Sequence, residues 1–176
     1  MGDIYQELQK NQVVLLLVPS AEYNQTIVKN MKKLAGKNVC YITLNKTFDS
    51  LKELFNKNKI DTKDIVFIDA ISSTIKKTPG QTEGAYFISS PGALTEIAIS
   101  VDKFLRHNFD YIIFDSLTNL LIYEKKEPVA KFVSSIVNKI KASKTKAIFY
   151  ALSLKEQSDL IEQTSMFVDK VINIEK

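Results

Sequence analysis

The chain has 176 residues, of which 45% are apolar and 25% charged, which fits one soluble globular domain rather than a disordered chain. A domain of this length buries roughly 70% of its unfolded surface. The net charge of +4 mildly favours acidic partners, but the lysines are dispersed and Arg106 is the only arginine, a poor composition for gripping nucleic acid.

In chain order, "MGDIYQELQK" offers neither a basic n-region nor an apolar h-region, and "MGDIYQ" lacks the Ser/Thr of a myristoylation signal. "VVLLLV", Val13 to Val18, is the first strand and far too short to span a membrane. Residues 22–35 read as a helix with Ile27, Met31, Leu34 and Ala35 on one face and lysines on the other. "VCYITL" is the second strand. Its Cys40 is the only cysteine, so no internal disulfide is possible, and its apolar setting gives it the role of a small buried hydrophobe. Residues 48–57 place Leu51, Leu54 and Phe55 together on a helix, and "IVFIDA" follows as a strand. Residues 71–92 hold three of the five glycines and two of the four prolines and read as one long irregular stretch, a length usual for functional or mobile loops. A helix over 92–107, the strand "YIIFDS", a helix over 128–143 opening on Pro128, and the strands "KAIFYAL" and "FVDKVINI" complete the chain. Near-continuous apolar strands alternating with helices predict an open, mostly parallel α/β sheet with helices on both faces, in one domain over 1–176. A cytoplasmic home is expected.

The turn after the first strand lies where a phosphate-binding loop of the G-x-x-x-x-G-K-[ST] kind would sit. In such a loop glycines turn amides toward phosphates, lysine neutralises charge and the hydroxyl holds Mg²⁺. This chain reads Pro19, Ser20, Ala21, Glu22, Tyr23, Asn24, Gln25, Thr26. Pro19 removes a donor where the first glycine would be, Asn24 takes the second, where its tolerance of the left-handed region lets the turn survive, and Gln25 takes the lysine. Each unit charge about 4 Å from a phosphate is worth roughly 4 kcal/mol at an effective dielectric near 20. Losing a cation and gaining Glu22 therefore costs at least two decades of ATP affinity, and the plainer reading is a strand-to-helix turn capped by Ser20.

"YIIFD", ending at Asp115, has the form of a Walker B strand, although "IVFID", ending at Asp69, has it too, and a strand-end Asp often just binds nearby amides. The setting of Asp115, with "LTEIAISVDKFLRH" before it and "DSLTNLL" after it, resembles the RecA superfamily and its KaiC-like branch in particular. The resemblance runs from "VVLLLVPSAEYNQT" to "MFVDKVINI" and implies a three-layer P-loop/RecA-like domain with an ATP site at the strand ends. It also implies a strand order with the first strand between "KAIFYAL" and the last strand, and the Asp115 strand beyond "KAIFYAL". Thr26 and Asp115, the Mg²⁺-associated positions, are kept. The glutamate pair of the branch is replaced by Asn45 and Lys46, which removes the general base, and the chain stops at Lys176, short of the extension that in relatives reaches a neighbour's site.

The expectation is a pseudo-ATPase with no catalytic residues, no cofactor and no metal, acting as a regulatory or scaffold module through a protein partner or self-association. The alternative is a non-hydrolysing nucleotide or anion sensor, with Thr26 and Asp115 keeping Mg²⁺ and Asn24 and Gln25 holding the phosphates of weakly bound Mg-ATP or ADP. Neither membrane nor nucleic acid is expected as a partner. His107, the one histidine, is read as closing a helix; Ser72, Ser73, Ser89 and Ser90 as turn and cap residues; and Tyr86 and Phe87 as side chains that fold back on the body or else anchor a partner or stack on a base. Lys, Ile and Asn richness suggests a prokaryote.

Overall fold

A computed structural model describes residues 2–174. Lys176, the expected chain end, lies outside the described residues. The elements, in order, are α1 (Ile4–Lys10), β1 (Val13–Val18), α2 (Tyr23–Lys33), β2 (Val39–Thr43), α3 (Phe48–Lys57), β3 (Ile65–Asp69), α4 (Ser72–Ile75), β4 (Gln81–Thr82) and β5 (Ala85–Phe87). They continue with α5 (Leu94–Leu105), β6 (Tyr111–Asp115), α6 (Leu117–Tyr123), α7 (Lys126–Lys141), β7 (Lys146–Leu152), α8 (Ser158–Ser165) and β8 (Lys170–Asn173).

Among the described residues the strands form one sheet in the order β4-β5-β3-β2-β6-β7-β1-β8. Every pairing is parallel except β4 with β5. The arrangement implied by the resemblance holds: β1 lies between β7 and β8, and β6 is on the far side of β7. β1, β2 and β6 are buried along their whole length because both faces are covered, which is why they read as continuous rather than alternating apolar runs. Ile4, Leu8, Ile27, Met31, Leu51 and Phe55 from α1 to α3 pack on one face. Ile97, Val101, Leu117, Leu120, Val133 and Leu160 from α5 to α8 pack on the other. Cys40 lies within the sheet, and burial pushes its thiol pKa far up. Thiol reagents are therefore expected to label it only under denaturing conditions, with native labelling slower by orders of magnitude.

Several expectations need correction. The 71–92 stretch is not irregular throughout: it contains α4 and the β4–β5 hairpin, which adds β5 to the sheet edge beside β3. Short, Gly-bounded segments carry too little periodicity to reveal this. Pro128 is the third residue of α7, not the first, because Lys126 and Glu127 already have helical backbone. α5 ends at Leu105 with Arg106 as its cap, so His107 lies in the turn beyond, its N–H donating to the Phe104 carbonyl. The serine pairs do serve turns: Ser72 donates its hydroxyl to Asp69, Ser89 to Glu96, and Ser90 Oγ accepts from the Gly92 N–H.

Asp169 ties the C-terminal part of the chain to the start of β1. Its Oδ2 accepts from the N–H groups of Gln12 at 3.0 Å and Val13 at 2.9 Å, while Lys141 Nζ lies 2.9 Å from Oδ1. Burial raises its pKa, but the Lys141 ammonium and the two amides outweigh that and hold it below the ordinary 3.8. A depressed carboxylate contributes stability that is complete above its unfolded pKa and is lost as the pH falls through the folded one. Asp169→Asn is thus expected to destabilise the chain at neutral pH and to converge with the parent at pH values below the ordinary carboxylate range, as read by urea unfolding at a series of pH values.

Candidate functional site

β2 and β6 deliver their carboxyl ends side by side, with Thr43 opposite Asp115 in register, and β7 separates β6 from β1. Strand alternation turns Asp115 toward the same face as Tyr111 and Ile113, where α2 lies. Its carboxylate is fully buried. Tyr41, two residues before the end of β2, donates its hydroxyl to Asp115 Oδ2 at 2.6 Å. Tyr23, the first residue of α2, donates to Oδ1, and Asn45 Nδ2 reaches the same oxygen at 3.2 Å. The Asp115 carbonyl accepts from the Leu44 N–H at 2.6 Å, and the Asp115–Ser116 peptide is cis.

Around this centre lies a second layer of polar aromatics. Tyr150 on β7 accepts at 2.8 Å from Asn30 Nδ2, and its ring centroid is 6.1 Å from that of Tyr23. Lys46 holds its ammonium 5.0 Å from the Tyr23 ring centroid. Burial, and then the neighbouring Asp115 charge, push the Tyr23 and Tyr41 hydroxyls well above their ordinary pKa; burial does the same for Tyr150. All three therefore act as neutral hydrogen-bonding groups. Asn45 Oδ1 is buried and has no partner among the described residues.

The turn from β1 to α2 is a strand-to-helix turn, but without the Ser20 cap expected of it and without a left-handed Asn24. It is a single 3-10 turn over Ser20–Glu22, in which the Glu22 N–H donates to Pro19 O at 3.0 Å and the Tyr23 N–H to Ser20 O. Ser20 is exposed and caps nothing: neither this turn nor α2 has a side-chain cap. Asn24 is not left-handed; it continues the first turn of α2, and among the described residues no positive φ falls within 19–26. Pro19 is half-buried, Asn24 and Gln25 are exposed, and Thr26 is buried in α2. Thr26 is not among the three side chains that donate to Asp115.

The sequence therefore located Asp115, Asn45 and Lys46 at one place but missed Tyr23, Tyr41, Asn30 and Tyr150. Their signal was available: a tyrosine inside an otherwise apolar strand must find its hydroxyl a partner, and Asp115 was the acceptor without one. Asp69, with the same strand-end pattern, does what such residues often do, accepting from the N–H groups of Ile71, Ser72 and Phe48 at 2.7 to 2.8 Å.

A model for a family of unknown function, DUF7090, matches residues 3–176. The chain belongs to that family. No curated protein matches this DUF7090 member. Among solved structures it is similar to the KaiC-like protein PH0186 of the hyperthermophilic archaeon Pyrococcus horikoshii OT3, at a TM-score of 0.61 and 10% identity, over 93% of this chain and 72% of that one. It is similar also to the flagellar accessory protein FlaH of Methanocaldococcus jannaschii, at 0.61 and 14%, over 92% and 70%. At such identities the likeness is one of fold: this DUF7090 chain has the RecA/KaiC-like architecture expected from its sequence.

Proposed function

We propose that the chain is a RecA/KaiC-like domain without ATPase activity, acting as a regulatory or scaffold module through protein contacts. The observation that carries this reading is the closure of Asp115, whose two carboxylate oxygens are buried and already accept from Tyr41, Tyr23 and Asn45. Mg²⁺ demands octahedral oxygen ligands at about 2.0–2.1 Å and usually keeps several waters, which a carboxylate enclosed by two phenols and an amide does not offer. Among the described residues, moreover, no group of three His, Cys, Asp or Glu side chains is placed to hold a metal. The β1–α2 turn adds to this, because the Glu22 and Tyr23 amides, which would face a phosphate, close a 3-10 turn instead. The Walker A glycines and lysine are replaced by Pro19, Asn24 and Gln25, and the glutamate pair by Asn45 and Lys46. Neither Asn45 nor Lys46 is a carboxylate base that could polarise an attacking water.

A second reading, a sensor of nucleotide or another anion, is favoured by one observation: Lys46 returns a cation to the loop that has Gln25 in place of its lysine. A thermal-shift titration with Mg-ATP, Mg-ADP and GTP, run alongside a phosphate-release assay, separates the readings. Ligand at about 100 times its dissociation constant adds ~2.7 kcal/mol, which melting resolves. The expected result is no shift at millimolar ligand and no phosphate release, with light scattering over a concentration series reading any self-association. A saturable shift replaces the scaffold reading with the sensor, and phosphate release overturns both.

A further inference from the structure

At the opposite end of the sheet, away from Asp115, a cavity of about 420 Å³ opens beside the amino ends of β2 and β3 and the last turn of α5. Its walls combine three rings with three basic side chains: Tyr86, Phe104 and Phe109 with Lys63, Lys103 and His107. The rings form a continuous edge-to-face series, Tyr86 to Phe104 at 5.1 Å and 80°, Phe104 to Phe109 at 5.5 Å and 70°. Lys103 holds its ammonium 4.8 Å from the Tyr86 ring centroid, and Lys63 is mostly exposed, 3.5 Å from Asp61. Tyr86, singled out in the sequence for its aromatic character, thus faces neither a partner strand's interior nor bulk water alone; it is half-buried at a ligand-sized opening.

The lysines by themselves have an ordinary explanation. Cations in the last turns of α2, α3, α5 and α7, such as Lys33, Lys57, Lys103 and Lys141, offset the negative ends of those helix dipoles. That explanation does not reach Lys63, which precedes β3 in a loop, nor the ring series that the cations border. An aromatic wall rimmed by cations suits a planar ring carrying an anion. Asp64 and Asn38 share the rim, and a carboxylate there calls for hydroxyl or amino donors on the same ligand. Inorganic phosphate leaves the rings unused, and a neutral aromatic leaves the cations unused.

We propose that this cavity binds a free mononucleotide, with its base against Tyr86 and Phe109, its phosphate toward Lys63, Lys103 and His107, and its ribose hydroxyls or amino group toward Asp64. The site is independent of the strand-end centre and stands whether or not that centre reads nucleotide.

Titration of the full chain with AMP, adenosine and ribose 5-phosphate, followed by two-dimensional amide NMR, tests it. AMP is expected to move the amides of Tyr86, Lys103 and Phe109. Adenosine and ribose 5-phosphate should each bind about tenfold more weakly, as should AMP to Tyr86→Ala, the loss of roughly one stacked ring. Lys103→Ala, a surface change that leaves the core intact, should weaken AMP by a similar factor and leave adenosine unaffected. Shifts that cluster around Thr26 and Asp115, no shifts at millimolar AMP, or unchanged AMP binding in Lys103→Ala each overturn the proposal. A 5′-phosphorylated oligonucleotide that binds these residues more tightly than AMP overturns the free ligand in favour of a strand end.

Discussion

Asp115→Ala is expected to destabilise the chain by about 3–5 kcal/mol. The reason is what it leaves behind: two buried phenols and the Asn45 amide lose their acceptor together, at roughly 1–3 kcal/mol for each group left unpaired inside the fold. Tyr41→Phe removes a single donor and leaves Asp115 with two others, so about 1.5–3 kcal/mol is expected there. Urea unfolding checks both through a lower midpoint at unchanged slope. The tyrosines supply a second readout. The Asp115 charge is one of the causes holding Tyr23 and Tyr41 above their ordinary pKa, so in Asp115→Ala their titration should begin at lower pH. A variant as stable as the parent would mean that the network holds nothing, and that the carboxylate is free for another use.

Phe114→Ala is expected to cost about 3–5 kcal/mol, for a different reason. Phe114 precedes Asp115 on β6 and points to the other face, where its ring stacks on Phe149 of β7 at 4.7 Å and 7°. The two residues are register partners on adjacent central strands, both fully buried, so alanine opens a cavity that neighbours on β6 and β7 are too constrained to fill. A double-mutant cycle with Phe149→Ala should return a coupling of roughly 0.5–1.5 kcal/mol, the contribution of the ring pair beyond burial. An additive cycle would show the rings to be independent fillers of one space.

What the sequence made legible follows from where its signals are strong. Val13–Val18, Tyr111–Asp115 and Lys146–Leu152 are buried on both faces, so composition alone marks them as central strands. α3 begins and ends where its pattern says, since Thr47 accepts from the Ser50 N–H and Leu51 and Phe55 are both core. β4 and β5 have two and three residues, too few for any period; β5 gains its strand character from Phe67 to Asp69 alongside, and β4 from β5. At the strand-end centre Tyr23 falls on an unconstrained position of the glycine-built loop motif, so the motif gives it no role. Once the glycines are absent the chain tightens into a 3-10 turn, and that turn starts α2 at Tyr23, the residue whose hydroxyl reaches Asp115. The chemistry of that centre was set by side chains far apart in sequence, which no local pattern encodes.

The place of β1 in the sheet bears on how the chain comes off the ribosome. Val13 pairs with Ala147 and Val14 with Lys170, so β1, which precedes every other described strand, is among the last to be flanked. Until most of the chain has been synthesised, six consecutive apolar residues have no strand on either side. Pairings of such long separation close slowly, and the interval leaves a sticky segment exposed. A nascent chain halted before β7 would therefore carry β1 as an open adhesive strip, a natural client for chaperones that hold unfolded segments. β2 and β3 have no such wait, because β3, β5 and β6, which flank them, all lie between Ile65 and Asp115. Folding during synthesis would then start from β2 and β3 and finish by gathering in β1.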